Sequence, residues 1–406
     1  MRILYVHQYF ATPRGRTGTR SYEQARRMIA AGHDVTMLTS SAQLRDDEIP
    51  TGRGIERRGE IEGIPCIVLD VPYTQGMSYL RRAWAFIRFM LSACRITIRE
   101  PDIDLVFATT TPLTIAVVAL AGRWLRGRPY IFEVRDLWPE IPLALGILKP
   151  GVLSWMLTRL ERLVYRHANG WVAVNEDVAL AMERTAGLKR PTAIAPNACD
   201  LELFHPRRDG SAFRTEHGLD DAIIAVHTGA MGPVNGLEHI LNIAAELRDL
   251  EPLHFILIGE GNQKAKLVER VRSEKLERVL ILDGIPKEQL ADLLATADVG
   301  LMTVCPTPIL ELNCANKFFD YLASGLPIAL NYRGWQARTL VEYGCGLSAD
   351  QGDDAGYAGL VREMAIDPKR REAMSLGARR AAETAFSRER VVDGILTLLE
   401  EVKALP

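Results

Sequence analysis

Around residue 317 the chain reads Glu311-Leu312-Asn313-Cys314-Ala315-Asn316-Lys317-Phe318-Phe319-Asp320. If a helix begins near Asn316, Lys317 and Asp320 fall three apart on one face, so a cation and an acceptor stand together near the positive end of a helix. A diphosphate calls for the cation and open amides; a ribose diol calls for the carboxylate. The plainer alternative is a local pair between Lys317 and Asp320. Three glycine-bearing turns upstream favour the nucleotide. His227-Thr228-Gly229-Ala230-Met231-Gly232-Pro233-Val234-Asn235-Gly236 joins a strand-like run to a helix starting near Leu237, and its glycines free N–H groups to meet a diphosphate. Gly232 and Asn235 are its candidate contacts. Ile258-Gly259-Glu260-Gly261-Asn262 is a second such turn, with Lys264 in the helix behind it. In a third, Asp283-Gly284-Ile285-Pro286, backbone groups around Ile285 could read a base edge. Taken singly, these are ordinary strand-to-helix turns.

The first half carries its own candidates. A strand ends at His7-Gln8-Tyr9-Phe10, and the loop after it holds Arg14, Gly15, Arg16, Gly18 and Arg20 before a helix near Ser21. Amides and arginines at a helix N-terminus could hold an anion, although no complete GxGxxG or phosphate-loop pattern is present. A solvated surface loop is the alternative. Further on, Glu133-Val134-Arg135-Asp136-Leu137-Trp138-Pro139-Glu140 gathers three carboxylates, an arginine and a tryptophan at the end of the strand PYIFEV. Catalytic side chains of parallel sheets sit at such ends. An Arg135–Asp136 ion pair tying down the loop is the structural alternative.

The elements that must position these groups alternate from the start. ILYVHQYF, SYEQARRMIAAG, HDVTMLT, DLVFAT, PLTIAVVALAGRWL and PYIFEV read as strand, helix and strand, which predicts βαβ units and a parallel sheet. AIIAVHTG, GLEHILNIAAELRDL, LHFILIGEG, KAKLVERVRSE, RVLILDG, EQLADLLATA, DVGLMTV and KFFDYLASGLPIAL restart the pattern. The proline-bearing connector PTAIAPNACDLELFHPRRDG has no clear period, and the hinge is placed near Asn197 to Pro206. The expected fold is α/β, two Rossmann-like domains facing across a central cleft, 1–200 and 201–387, with a helix over 388–406 packing back on the first. Such domains bind ligands at the carboxyl ends of their strands.

Composition limits the rest. A chain of 406 residues is longer than one core supports. Its formal charge of −2 gives no overall attraction to nucleic acid. The six cysteines are scattered, with neither CxxC pairs nor metal-ligand spacing, so reduced thiols and no metal are expected. MRILYVHQYF is not a signal core, and the apolar stretch from Pro112 to Leu125 is about 14 residues, closer to a buried helix than to a membrane span. The expected location is cytoplasmic. Ser78 to Arg99 mixes five arginines with Trp84, Phe86, Phe89 and Met90, a pattern that suits either a domain helix or peripheral contact with anionic lipid at the inner face of the cytoplasmic membrane.

Over nearly its whole length the sequence resembles retaining glycosyltransferases of the GT-B fold, family 4. The resemblance rests on HQYF with its glycine loop, RSYEQARRMIAAGHDVTMLT, EVRDLWPE, PNACDLELFHP, the Gly232 loop and NKFFDYLASGLPI. NKFFDYLASGLPI together with EVRDLWPE looks most like the branch that adds amino- or deoxysugars during O-antigen and capsule assembly.

The resemblance implies transfer from a nucleoside diphosphate sugar, commonly UDP-linked, to a glycan or polyprenyl-diphosphate-linked acceptor, with retention and no required metal or other cofactor. Asp320 matches a ribose-binding glutamate; Lys317 and the amides near Asn316 would face the diphosphate. Gly232, Asn235, Gly259, Lys264, Ile285 and Glu311 complete the expected donor site. His7, Arg14, Gly15, Gly18, Arg20 and Trp138 are expected at the acceptor, with Arg135, Asp136 and Lys317 as the catalytic candidates. The chain departs from the family pattern at Leu312, where a glutamate eight residues before the ribose acid is usual; Glu311 is one step away. Ala230 and Asn235 stand in a loop that often carries arginine and lysine, and Arg135 stands where some members have histidine. Two alternatives share the fold: a non-hydrolysing UDP-sugar epimerase, and a catalytically silent binding subunit. A nicotinamide enzyme is disfavoured because GxGxxG is absent after the first strand.

Overall fold

In the computed structural model, residues 1–15, 18–52, 54–73 and 77–404 are described. The chain divides into two compact units, Met1–Pro196 with Val391–Pro406, and Asn197–Arg390. The first runs β1 (Arg2–Val6), α1 (Arg20–Ala30), β2 (Asp34–Ser40), β3 (Glu56–Ile61), β4 (Ile64–Leu69), α2 (Tyr79–Arg99), β5 (Leu105–Thr109), α3 (Ile115–Arg126), β6 (Tyr130–Val134), α4 (Glu140–Ala144), α5 (Val152–His167), β7 (Gly170–Ala173), α6 (Glu176–Ala186) and β8 (Thr192–Ile194). The second runs α7 (Ser211–His217), β9 (Ile223–Thr228), α8 (Glu238–Glu246), β10 (Leu253–Ile258), α9 (Lys264–Ser273), β11 (Val279–Leu282), α10 (Lys287–Thr296), β12 (Val299–Met302), α11 (Asn316–Ala323), β13 (Ile328–Leu330), α12 (Trp335–Tyr343), β14 (Gly346–Ser348), α13 (Asp354–Ile366) and α14 (Pro368–Thr384). The last helix, α15, covers Arg388–Lys403.

The first sheet has the order β3-β4-β2-β1-β5-β6-β7-β8 and the second β11-β10-β9-β12-β13-β14. All pairings between the named strands are parallel except β3 with β4, a hairpin closed by Glu62 and Gly63, both at positive φ. That is the two-residue turn whose twist suits adjacent strands. Strands buried on both faces, such as β5 and β6, are apolar apart from Thr109 and Glu133 near their carboxyl ends, because helices cover both sides. In each sheet the chain reverses direction once at the centre, between β1 and β5 and between β9 and β12, so each unit has a crevice at the carboxyl ends of those strands.

Most of the apolar stretch over Pro112 to Leu125 lies in α3, which buries Ile115, Ala116, Val118, Ala119, Leu120 and Gly122 and is exposed at its C-terminus. No helix among the described residues is long and apolar enough to cross a membrane. The C-terminal helix lays Leu398 and Val402 over Gly170, where a Cβ would come within 3.0 Å of both. Asp393 of this helix also pairs with Arg27 of α1 at 3.7 Å.

Candidate active site

In the second unit, the loops after β9, β10 and β11 meet the head of α11. Gly229 has φ +115 and Gly259 φ +153, and a Cβ on Gly259 would lie 1.7 Å from the Gly229 carbonyl oxygen. Only glycine permits that approach. A Cβ on Gly261 would strike the Met231 carbonyl in the same way, and Met231 N–H donates to the Glu260 carbonyl at 2.8 Å. The glycine requirement therefore sits at Gly229, Gly259 and Gly261, and at Gly236, where φ is +56 and a Cβ would lie 2.7 Å from the Val304 carbonyl. Gly232 has an ordinary φ of −109 and open space where a side chain would go. Asn235 turns inward on its own loop, its Nδ2 donating to the Ala230 carbonyl at 2.8 Å.

Lys317 projects into this assembly. Its Cε and Nζ lie 3.5 and 3.6 Å from the Cβ position of Gly229, and Nζ is 3.1 Å from His227 Nε2. His227 is fully buried, and its Nδ1 faces the Leu301 carbonyl at 3.2 Å. That carbonyl can only accept, so Nδ1 carries the proton and Nε2 is left to accept from the ammonium. Burial, then the adjacent Lys317, hold the imidazole well below its usual pKa and keep it neutral. Burial also lowers the Lys317 pKa to about 7. No carboxylate lies at ion-pair distance from Lys317 among the described residues. α11 has no side-chain cap, so the first-turn amides of Asn316 and Lys317 stay open, and the Ala230 and Gly232 N–H groups find no protein acceptor among the described residues. An ammonium and four amides around a glycine crevice suit a diphosphate.

Asp320, three residues on, makes no ion pair with Lys317 among the described residues, and the charges that act on it are those of Asp200 and Lys287. Burial raises its carboxyl to about 7; Asp200 adds to the rise and Lys287 opposes it. Lys264 bridges Glu260, at 3.1 Å, to Asp283, tying the second and third loops, and Glu260 also accepts from Gly284 N–H at 3.1 Å. Ile285 follows that contact, half-buried. Glu311 lies in the 3-10 turn Pro308–Leu312, its carbonyl 2.5 Å from the Cβ position of Gly334.

In the first unit, a pocket of about 290 Å³ is lined by His7, Tyr9, Gly18, Gln43, Tyr73, Thr111, Arg135 and Asp136. It opens at the reversal between β1 and β5 and brings together four of the expected residues. His7 is neutral: burial, then Arg135, lower its pKa to about 3. Its Nδ1 lies 2.7 Å from the Ser21 hydroxyl, and Arg135 Nη1 is 3.4 Å from its Nε2. Asp136 is exposed at the pocket edge. The alternative reading, an Arg135–Asp136 ion pair, is not met among the described residues; the tie at this strand end is between Arg20 and Glu133. Buried Glu133 accepts from Arg20 at 2.7 and 3.0 Å, from Gln24 at 3.0 Å and from Thr109. Burial alone would raise its pKa, but Arg20 and Arg135 outweigh it and hold it at about 2. Arg20 also donates to the Ala195 carbonyl at 2.5 Å, so it braces the sheet edge rather than standing open to an anion. Arg14 is exposed and paired with Asp47 at 2.5 Å, and Gly15 N–H closes a turn on the Thr12 carbonyl. Trp138 is half-buried beyond the pocket lining, and Arg16 lies outside the described residues.

Residues 17–198 match the model of a glycosyl transferase 4-like domain, and residues 211–381 match that of glycosyl transferases group 1. The chain is a GT-B glycosyltransferase. A probable glycosyltransferase, WbjE of Pseudomonas aeruginosa, is 26% identical over 72% of both chains. A GDP-mannose-dependent alpha-(1-6)-phosphatidylinositol dimannoside mannosyltransferase of Mycobacterium tuberculosis is 25% identical, covering 98% of this glycosyltransferase and 96% of that chain. Among solved structures, sucrose-phosphate synthase from Thermosynechococcus elongatus superposes with a TM-score of 0.77 at 15% identity over 99% of each chain. HepE of Anabaena in complex with UDP-glucose gives 0.70 at 18% identity over 100% of both. These likenesses fix the fold of the glycosyltransferase as two α/β domains with parallel sheets.

Tyr9, Gln43, Tyr73 and Thr111 of the pocket, and His227 behind Lys317, were not selected from the sequence. Tyr9 sits inside HQYF and His227 ends a strand, so a weak positional signal existed for both; Tyr73 and Gln43 had none.

Proposed function

We propose that this glycosyltransferase takes a sugar from a nucleoside diphosphate donor, UDP-linked, and places it with retention on a glycan or polyprenyl-diphosphate-linked acceptor in bacterial surface polysaccharide assembly. The observation that carries the reading is Lys317: a half-buried ammonium without a carboxylate partner among the described residues, held by neutral His227 against the Gly229 turn and beside four open amides. In the reaction the C1–O bond to the diphosphate breaks and a new C1–O bond forms to the acceptor oxygen on the same face. The acceptor proton passes to the leaving phosphate. Lys317 and the amides stabilise the charge that develops on that leaving group, a role fixed donors perform well in a partly dry site. Asp320 binds the ribose hydroxyls. Arg135 and Asp136 orient the acceptor in the pocket of the first unit, beside His7 and Gly18. The family resemblance implies no required metal, so turnover is expected to persist in EDTA.

UDP is supported by the HepE complexes; the mannosyltransferase relatives, named for GDP-mannose, make guanine its rival. Calorimetry with UDP, GDP and ADP tests both levels. We expect UDP to bind most tightly and Lys317→Ala to weaken it about 10- to 100-fold, as loss of a charge-assisted bond would. Tighter GDP binding would overturn the base but keep the site; binding indifferent to Lys317→Ala would overturn the site. Conversion of a UDP-sugar without any acceptor would point instead to the epimerase alternative.

A further inference from the structure

We propose that α2, α3 and α5 of the first unit form a docking face for an anionic lipid bilayer. In the first unit, α3 packs between α2 and α5. Along α2, Leu80, Trp84, Ile87 and Leu91 recur at helical spacing and are all exposed, Leu80 at 84% and Trp84 at 63%. This helix is therefore amphipathic twice over: Phe89, Ala93 and Ile96 face the core, and a second apolar stripe faces outward. A helix that only closes a core has no use for the outer stripe. On α5, Val152, Leu153, Trp155 and Met156 are likewise exposed, and Trp124 and Leu125 end α3.

Charge identifies the occupant. Arg81, Arg88, Arg95 and Arg99 lie on the exposed side of α2, and none pairs with a carboxylate among the described residues. α2 and α3 contain no acidic residue, and the one acid of α5, Glu161, is buried. Against a whole-chain charge of −2, this is a local concentration of cations interleaved with tryptophan and leucine. A second protein chain would need matched carboxylates over about 30 Å of helix. An anionic bilayer supplies phosphates for the arginines and an acyl boundary for the apolar stripe.

The face also leads to the pocket. Tyr9 and Tyr73, both in its lining, have ring centroids 5.3 Å apart, and Tyr73 stacks on Phe86 of α2 at 5.5 Å. Phe86 is two residues from exposed Trp84. An acceptor carried on a lipid would thus be delivered along α2; this part rests on the acceptor reading above, whereas membrane binding itself does not.

The test is sedimentation of the full chain with vesicles of phosphatidylcholine alone or mixed equally with phosphatidylglycerol. We expect binding to the anionic vesicles, little to the neutral ones, and release as NaCl is raised. Arg88→Glu with Arg95→Glu, and separately Trp84→Ser with Leu91→Ser, should each weaken it at least about tenfold, with UDP binding and urea midpoint unchanged because these side chains are exposed. No binding at low salt, equal binding to both vesicle types, or variants that bind like the parent would overturn the proposal. So would a dimer that dissociates in the Trp84→Ser, Leu91→Ser variant in the absence of vesicle binding. None of these measurements requires sugar transfer, so this face fails or stands apart from the reaction.

Discussion

Burial makes Lys317 useful and costly at once. With its pKa at about 7 in the folded chain against roughly 10.4 when unfolded, the unfolded state holds more protons between those values, and stability rises with pH across that window. Below about pH 7 the penalty is fully present. Lys317→Met should therefore stabilise the ligand-free protein by about 1 kcal/mol at pH 6.5, a rise of roughly 2–4 °C in Tm, and the advantage should vanish near pH 10. Thermal melts at the two pH values check this, and a lower Tm at pH 6.5 would contradict a desolvated ammonium. The same proton governs ligand affinity. Only charged Lys317 attracts a diphosphate, so UDP binding weakens as pH rises above about 7 and is accompanied by proton uptake, measurable by calorimetry in buffers of different ionisation enthalpy.

At the level of elements, the glycine turns divide into those that backbone geometry requires and those that it merely tolerates. Gly259→Ala drives a Cβ into the Gly229 carbonyl, so the first two loops must part and Lys317 loses its wall. Donor affinity should fall at least about tenfold and stability by about 2 kcal/mol. Gly232→Ala meets nothing within 4 Å and should leave the urea midpoint unchanged. Equal effects of the two substitutions would mean that the loops are not packed as described. This contrast also marks what the sequence could disclose. Glycine after a strand signals a turn at Gly229, Gly232 and Gly259 alike, because composition does not record which neighbour approaches. Alternating apolar runs revealed the parallel strands, yet the β3–β4 hairpin escaped: β3 is polar along most of its length, and its Glu62-Gly63 turn lacks the usual Asn or Asp. α11 begins at Asn316, the start that the reading of Lys317 and Asp320 supposed. Its partner His227 lies 90 residues away, a pairing created by the reversal between β9 and β12 and invisible to any local pattern. The Arg20–Glu133 tie, 113 residues apart, is hidden for the same reason.

Across the whole molecule, the chain leaves the first unit after Pro196 and returns at Val391. The returning helix buries Val391, Val392, Ile395, Leu398, Leu399 and Val402, each contributing roughly 1.5–3 kcal/mol before ordering entropy is set against it. Gly170 lacks a side chain where Leu398 and Val402 lie, so nothing local can refill the space if the helix is removed. Every group assigned to the donor lies within 197–390. Ending the chain after Arg390 should therefore damage the two functions unequally. The first unit loses its cover, and its thermal transition should drop by at least about 5 °C or disappear. UDP should still bind with nearly the parent affinity, because the Gly229, Gly259 and Gly284 turns and Lys317 are untouched, while transfer to acceptor fails. Differential scanning calorimetry with and without UDP separates these effects: the transition that UDP raises should survive truncation, and the other should not. Loss of UDP binding in the truncated chain would show that the second unit does not hold the donor by itself, and would move part of that site into residues of the first.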